Sequence, residues 1–423
     1  MTGKLYLKLN RQDIGFIQHN LKDDRFEIAL SDPNLKLSPY LFSGADSSSV
    51  KYFLMNLLPE GVGLDELSAM MHISKANVFG LIKAIGTETT GAISFHSSPD
   101  EPEETSFREI PEQELIDRIQ KRQQTPITVW DDKPRLSVAG VQEKLPIMVT
   151  EDGKYGLGEG ELASTHILKF GKHPDEHIVL NENLCMTLAR RLKLPVAETE
   201  IIRLGEPVHK VKRFDRVLKD NKVERLHIID GCQMLNMPPS YKYERVYGDG
   251  RDVQDFREGA SLDKLFKAAS QCSVPAAATR DMLNWLLFNL LIGNCDAHGK
   301  NISWNYSAND ISVTPFYDML SISIYGGKYN QNLAMAVGDN FSAKVYAYDL
   351  AEMCEMCGLQ PRFVSRTLNK MAKAVLSETD ILLSGLDLSD DESDFATELI
   401  SLLKDNANWY AGVAKELPFI NQK

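Results

Sequence analysis

Residues Met282–Ile292, MLNWLLFNLLI, are nearly continuous apolar sequence, and they run straight into the polar stretch GNCDAHGKN, Gly293–Asn301. A helix that is apolar on most sides must be buried on most sides, so other helices have to surround it. At eleven residues the run is too short to span a membrane. No other apolar run reaches that length, and the opening MTGKLYLKLNRQD lacks the apolar core of a signal peptide, so a cytoplasmic protein is expected. A polar loop leaving such a helix is held rigidly at one end, which suits it to carry chemistry.

The sequence ahead of this helix has a different character. Leu5, Leu7 and Leu9 alternate, as do Phe26, Ile28 and Leu30, which predicts half-buried strands. A helix is expected over Tyr52–Leu58, stopped by Pro59, then two short helices within Asp65–Ile85, the second capped by Ser74, and a returning strand at Thr90–Phe95. The acidic, proline-containing stretch Ser97–Glu114 marks a boundary, with a short helix at Leu115–Ile119. Strands are expected at Lys144–Val149, Tyr155–Leu157, Thr165–Phe170, Glu198–Arg203 and Val208–Phe214, forming a five-stranded antiparallel sheet. One helix, with Leu184, Leu188 and Leu192 on one face, accompanies it. Beyond Ile229 the pattern is mostly helical, with further helices at Leu350–Met356, Arg362–Ala374 and Phe395–Leu403. The resulting domain organisation is 1–96, a small α/β amino-terminal subdomain; 97–125, a linker and connecting helix; 126–229, a sheet-rich lobe with a phosphate-binding loop; and 230–423, a helical lobe. The expected class is α+β and bilobal, with a cleft between the lobes suited to a nucleotide.

Asp296 and Asn301 stand at the spacing by which protein kinases place a residue for the attacking hydroxyl and an amide ligand for magnesium. Lys300 is a candidate for neutralising the transferring phosphoryl group. Asp318, in TPFYD after a short strand at Ile311–Val313, returns seventeen residues past Asn301 to complete a magnesium site. An Asn and an Asp suffice because magnesium takes hard oxygen ligands and keeps much of its shell from phosphate and water. Lys169, at the end of THILKF, is the candidate for the α- and β-phosphates of ATP, oriented by Glu182 or, failing that, Glu176. In RLSVAGVQEK the backbone of Val138, Ala139, Gly140 and Val141 is a candidate anion nest, and Ser137 a phosphoryl acceptor on the same loop. Singly, each of these residues has a plain structural reading. Their order along the chain is the stronger signal.

Other chemistries fit less well. There is no HExxH, GxSxG or complete Walker A motif, and Gly158 and Gly160 lack the rest of a dinucleotide fingerprint. Six irregularly spaced cysteines suit a reducing compartment; Cys354 and Cys357 form a lone CxxC that reads as helical core rather than zinc. With 47 basic and 59 acidic residues the net charge is −12, which argues against extensive direct wrapping of nucleic acid.

Taken together, SVAGVQEK, THILKF, Asn181–Glu182, KRFDR at Lys212–Arg216, CQ…KYE at Cys232–Glu244, GNCDAHGKN and TPFYD resemble, in order, the HipA family of bacterial serine/threonine kinase toxins. NLLPEG and IGTETTGAI resemble the family's amino-terminal subdomain, so the likeness covers nearly the whole chain. The resemblance implies a HipA-like kinase fold using ATP and Mg2+, with Asp296 catalytic, Asn301 and Asp318 binding magnesium, and Lys169 binding phosphate. It further implies that Ser137 is autophosphorylated, that the backbone at His227, Ile228 and Ile229 contacts adenine with Asp230 nearby, and that His298 and Lys300 support the site. As partners it implies a separate HipB-like helix-turn-helix antitoxin, operator DNA reached mainly through that antitoxin with backbone contacts of its own, and glutamyl-tRNA synthetase as protein substrate. The alternatives are a catalytically weak or inactive HipA-like protein acting as transcriptional co-repressor with its antitoxin, and a kinase for a small-molecule alcohol.

Overall fold

Alternation in the first thirty residues builds a four-stranded antiparallel sheet in the order Arg25–Leu30, Gln12–Asn20, Thr2–Leu9, Ile93–His96. The computed structural model describes residues 2–86, 88–100, 105–131, 133–135, 142–171, 176–220 and 222–420. The chain divides into two units, Met1–Lys172, Glu200–Pro239 and Trp304–Asp310 in the first, and His173–Thr199, Ser240–Ser303 and Ile311–Lys423 in the second.

In the first unit, Leu5, Leu7, Ile17, Phe26 and Ile28 are buried on one face of the small sheet, as the period of two requires. Helices Ser47–Leu57, Val62–Met71 and Val78–Ile85 follow. The last is capped by Asn77, whose side chain accepts the Gly80 N–H at 2.9 Å, and not by Ser74 as expected. Ser74 instead closes a turn on the Ala76 N–H (3.3 Å), which delays the helix start by three residues.

The second sheet has six strands rather than five, in the order Thr199–Arg203, Pro207–Lys212, His166–Phe170, Lys144–Val149, Tyr155–Glu159, Ser106–Glu109. The extra edge strand comes from the acidic stretch, where charge masked it. Phe107 lies over Gly156, at which a Cβ would come within 2.3 Å of the ring. The helix Glu112–Gln120 buries Leu115 and Ile119 in the same core as Trp130, Leu145, Ile147, Leu168, Phe170 and Val208.

A buried charge network ties residues 88–91 to KRFDR. Asp215 accepts from Arg213 (2.9 and 2.8 Å), from Arg216 (2.6 Å) and from the Gly91 N–H (2.9 Å). Arg216 also donates to the carbonyls of Thr89 (2.6 Å) and Gly91 (2.9 Å), while Glu88 accepts from Ser164 (2.6 Å). The surrounding guanidiniums hold both carboxyls below their ordinary range despite burial.

The second unit is built on the apolar helix, observed as Pro275–Ile292, with Leu283, Trp285, Leu287, Phe288 and Leu291 buried. Helices Leu262–Ala269, Pro361–Thr379 and Asp390–Glu416 pack against it, and Ala347–Cys357 packs on the first and second of these. The helix Ile178–Arg191, expected with the sheet, groups with this unit, burying Leu184 and Leu188. Cys354 and Cys357 lie on Ala347–Cys357 with thiols pushed up to about 12 by burial, and no metal-holding group of His, Cys, Asp or Glu occurs among the described residues. None of the described helices is long and apolar enough to cross a membrane.

Candidate active site

The loop Gly293–Asn301 is fixed from both ends by its own polar residues. Gly293 ends the buried helix in the left-handed region (φ 67°), where a Cβ would come within 2.8 Å of Ser323 Oγ. Its carbonyl accepts the N–H groups of Ile322 and Ser323 (3.0 Å each). Asn294 donates to Asn289 Oδ1 (2.8 Å) and accepts the Asp296 N–H (3.2 Å). The loop then turns on its own backbone, His298 N–H to Asp296 O (2.8 Å) and Asn301 N–H to His298 O (2.9 Å). Tyr317 donates to the Lys300 carbonyl (2.7 Å) and lies 2.6 Å from Ser303 Oγ, so the Ser303 hydroxyl donates to Tyr317.

His298 is buried and neutral. Burial first, then the Lys242 charge, pushes its pKa well below the ordinary value. The Lys300 N–H donates to its Nδ1 (3.2 Å), which puts the ring proton on Nε2. Lys300 is itself buried.

Asn301 and Asp318 meet. Asn301, 4 % exposed, donates through Nδ2 to Asp318 Oδ2 (2.9 Å), and its Oδ1 is buried without a hydrogen-bond partner among the described residues. An orphaned buried acceptor is costly unless something supplies positive charge. One amide oxygen beside a carboxylate is the hard-oxygen pair magnesium takes, so these residues fit that ion. Asp318 itself is held at φ 58°, a conformation non-glycine residues adopt chiefly when Asp or Asn. The strand-like run ahead of it is pinned by Phe316 N–H to Pro195 O (2.7 Å) and Ala197 N–H to Phe316 O (2.9 Å).

Lys169 lies in the first unit, 7 % exposed, in the middle strand of the six-stranded sheet, opposite Lys144 on one side and His209 on the other. Glu182 is buried on the helix Ile178–Arg191 of the second unit. The fallback Glu176 is engaged elsewhere: its carbonyl accepts from Tyr325 (3.0 Å) and its carboxylate from Tyr329 (2.9 Å). His227 precedes the strand Ile228–Asp230 in the first unit; its carbonyl accepts the Tyr306 N–H (2.9 Å), and its Nε2 donates to the Leu37 carbonyl (2.7 Å). Ile228 and Ile229 are buried, and the side chain of Asp230 caps the helix Gly231–Met234. Ser137, Val138, Ala139, Gly140 and Val141 lie outside the described residues.

Two contributors escaped the sequence reading. Tyr243 donates to Asp296 Oδ1 at 2.7 Å. Asn181, fully buried, donates to the Ser321 carbonyl (2.8 Å) and accepts the Ser321 N–H (2.9 Å), joining the Glu182 helix to the segment behind Asp318. Both sat inside quoted motifs, KYE and Asn181–Glu182, but no local pattern distinguishes a residue bonded to a distant loop from a solvated one.

A family model described as HipA-like C-terminal domain matches residues 136–379, and one described as HipA N-terminal domain matches residues 8–96. The chain is 42 % identical over 379 residues to the serine/threonine-protein kinase toxin HipA of Shewanella oneidensis, covering 88 % of this chain and 86 % of that one. Among solved structures, a chain from the Shewanella oneidensis MR-1 complex of HipA, HipB and operator DNA superposes with a TM-score of 0.90 at 38 % identity, over 99 % of this chain and 100 % of that chain. The α+β fold, amino-terminal subdomain included, is shared.

Proposed function

The chain belongs to the HipA family, and on that footing we propose that it is an ATP- and magnesium-dependent serine/threonine protein kinase toxin. The observation that carries the reading is the Asn301–Asp318 pair with its unpartnered amide oxygen, beside a loop that holds Asp296 rigidly. Asn301 Oδ1 and the Asp318 carboxylate would hold magnesium. The ion, when bound, offsets phosphate charge and orients the transferring group. Lys169 would contact the α- and β-phosphates, Asp296 would take the proton of the attacking hydroxyl, and neutral His298 and buried Lys300 would complete the loop's polar surface. Glu182 is the carboxylate proposed to orient Lys169. Adenine is proposed to lie against the backbone at Ile228 and Ile229, because the His227 carbonyl is already bonded. Ser137, on the loop with Val138–Val141, is the proposed autophosphorylation site.

A HipB-like helix-turn-helix antitoxin is the proposed partner, supported by the likeness to a chain solved with HipB and operator DNA. Arg362, Arg366, Lys370 and Lys373 are exposed on one helix at spacings of four, four and three, without ion pairs among the described residues, in a chain of net charge −12. Such a stripe suits phosphate-backbone contact in a complex whose specificity comes from the antitoxin. Glutamyl-tRNA synthetase as protein substrate, and a cytoplasmic location, rest on the family resemblance.

The test is phosphoryl transfer. Dephosphorylated protein incubated with labelled ATP and magnesium should label itself on Ser137 and label glutamyl-tRNA synthetase, and Asp296→Gln should lower both by roughly 10²- to 10⁴-fold. Absence of labelling together with absence of nucleotide binding, while operator binding with the antitoxin persists, would replace this reading with that of a co-repressor.

A further inference from the structure

Tyr243 stands on a strap that the fold has no evident reason to hold so tightly. The Gly299 N–H of the catalytic loop donates to the Lys242 carbonyl (2.9 Å), and the Glu244 N–H donates to Ala334 O (2.9 Å). On the strap's other side the Ala260 N–H donates to Tyr241 O (2.8 Å) and the Gly259 N–H to Glu244 O (3.2 Å). Gly259 packs so closely that a Cβ there would come within 1.9 Å of the Tyr243 carbonyl oxygen. The Glu244 side chain is buried, accepting from Arg257 Nε (2.7 Å), Arg257 Nη2 (2.6 Å) and the Ala336 N–H (2.8 Å). The residue between these anchors is nonetheless 36 % exposed. Its backbone is fixed as a core residue's would be, while its side chain reaches Oδ1 of Asp296 at 2.7 Å. Its ring also meets His298 edge-on, with centroids 5.2 Å apart and planes at 90°.

A carboxylate only accepts, so the phenol donates. A hydroxyl at that distance fixes the rotation of the Asp296 side chain. We propose that Tyr243 is the positioning residue of the catalytic carboxylate, holding Asp296 in the orientation in which it receives the proton of the acceptor hydroxyl. The proposal rests on the kinase reading above. In the step, the acceptor oxygen bonds to the γ-phosphorus as the bond from that phosphorus to the β,γ-bridging oxygen breaks. The bridging oxygen keeps the electron pair and departs with ADP, and the hydroxyl proton passes to the Asp296 carboxylate and then to water. Aligning a base in this way acts on the chemical step and leaves ATP binding alone.

The experiment compares full-length parent, Tyr243→Phe and Tyr243→Leu in steady-state phosphorylation of the protein substrate, with ATP affinity and thermal midpoint measured on the same samples. Tyr243→Phe keeps the ring against His298 and removes only the hydroxyl. It should lower kcat about tenfold or more while KM for ATP stays within twofold and the midpoint is unchanged. Tyr243→Leu should lose the same factor and also some stability. A Tyr243→Phe kcat within twofold of the parent overturns the proposal. So does a variant in which kcat, ATP affinity and midpoint fall together, which would mark the phenol as structural. A parent that neither binds ATP nor transfers phosphate removes the kinase reading itself, and is recognised because all three proteins are then equally inert.

Discussion

His227 is a half-buried imidazole anchored to the backbone of a distant strand. Its Nε2–H donates to the Leu37 carbonyl, and burial depresses its pKa below the ordinary value. His298 is depressed in the same direction, further and for the same first cause. The sign of the linkage follows. Below about pH 6.5 the unfolded chain takes up protons at these two positions more readily than the native chain does, so stability falls as pH falls, by up to ~1.4 kcal/mol per pH unit for each histidine. Denaturant melts between pH 7.5 and 5.5 should show this loss. His227→Gln, which keeps a donor for Leu37 but does not titrate, should remove roughly one histidine's share of the slope. An unchanged slope would mean that His227 is protonated in the native state. Neither environment was legible in the sequence: both histidines stood out as site candidates, but desolvation depends on which distant side chains close over a residue.

Asn181 joins the helix Ile178–Arg191 to the segment behind Asp318. Asn181 satisfies both the N–H and the carbonyl of Ser321, and its amide also donates to Tyr325 Oη (3.0 Å). Asn181→Leu leaves two buried backbone groups without partners, which should cost about 2–6 kcal/mol by chemical denaturation. It should also raise the magnesium concentration needed for half-maximal labelling, since Ser321 follows Asp318 by three residues. A loss under about 0.5 kcal/mol would show that the segment finds other partners. Elements with their own periodicity were readable: Lys144–Val149 and Ile311–Val313 occur with the expected bounds, and the apolar helix ends at Ile292 as expected. Elements defined by context were not. Ser106–Glu109 is a strand because Tyr155–Glu159 offers it an edge, and the Val78–Ile85 helix begins at Asn77 because Ser74 is spent on a turn. The candidate site divides the same way: Asp296, Asn301 and Asp318 announce themselves by spacing, whereas Tyr243 and Asn181 act through residues more than fifty positions away.

The chain is acidic, yet the helix Pro361–Thr379 carries four exposed cations without ion pairs among the described residues. Arg366→Glu with Lys370→Glu should weaken the proposed complex of this protein with an antitoxin and operator DNA, and flatten the dependence of log affinity on log salt by about two contacts' worth. Binding to the antitoxin alone should be unaffected, as calorimetry without DNA can check. An unaltered salt slope would place the DNA elsewhere. The network around Asp215 bears on the chain's history as much as on its stability. Glu88 and the Thr89 and Gly91 backbone come from one end of it, Arg213, Asp215 and Arg216 from the other; Asp215 offsets part of the arginine charge within its own segment, and Glu88 is held by the arginines of the other. Removing one partner of a buried pair costs about 3–5 kcal/mol. The amino-terminal module is therefore not an interchangeable cassette: a chimaera grafting it from a distant relative inherits stranded charge unless the KRFDR segment travels with it, so recombination would have had to carry the two segments as one inheritance.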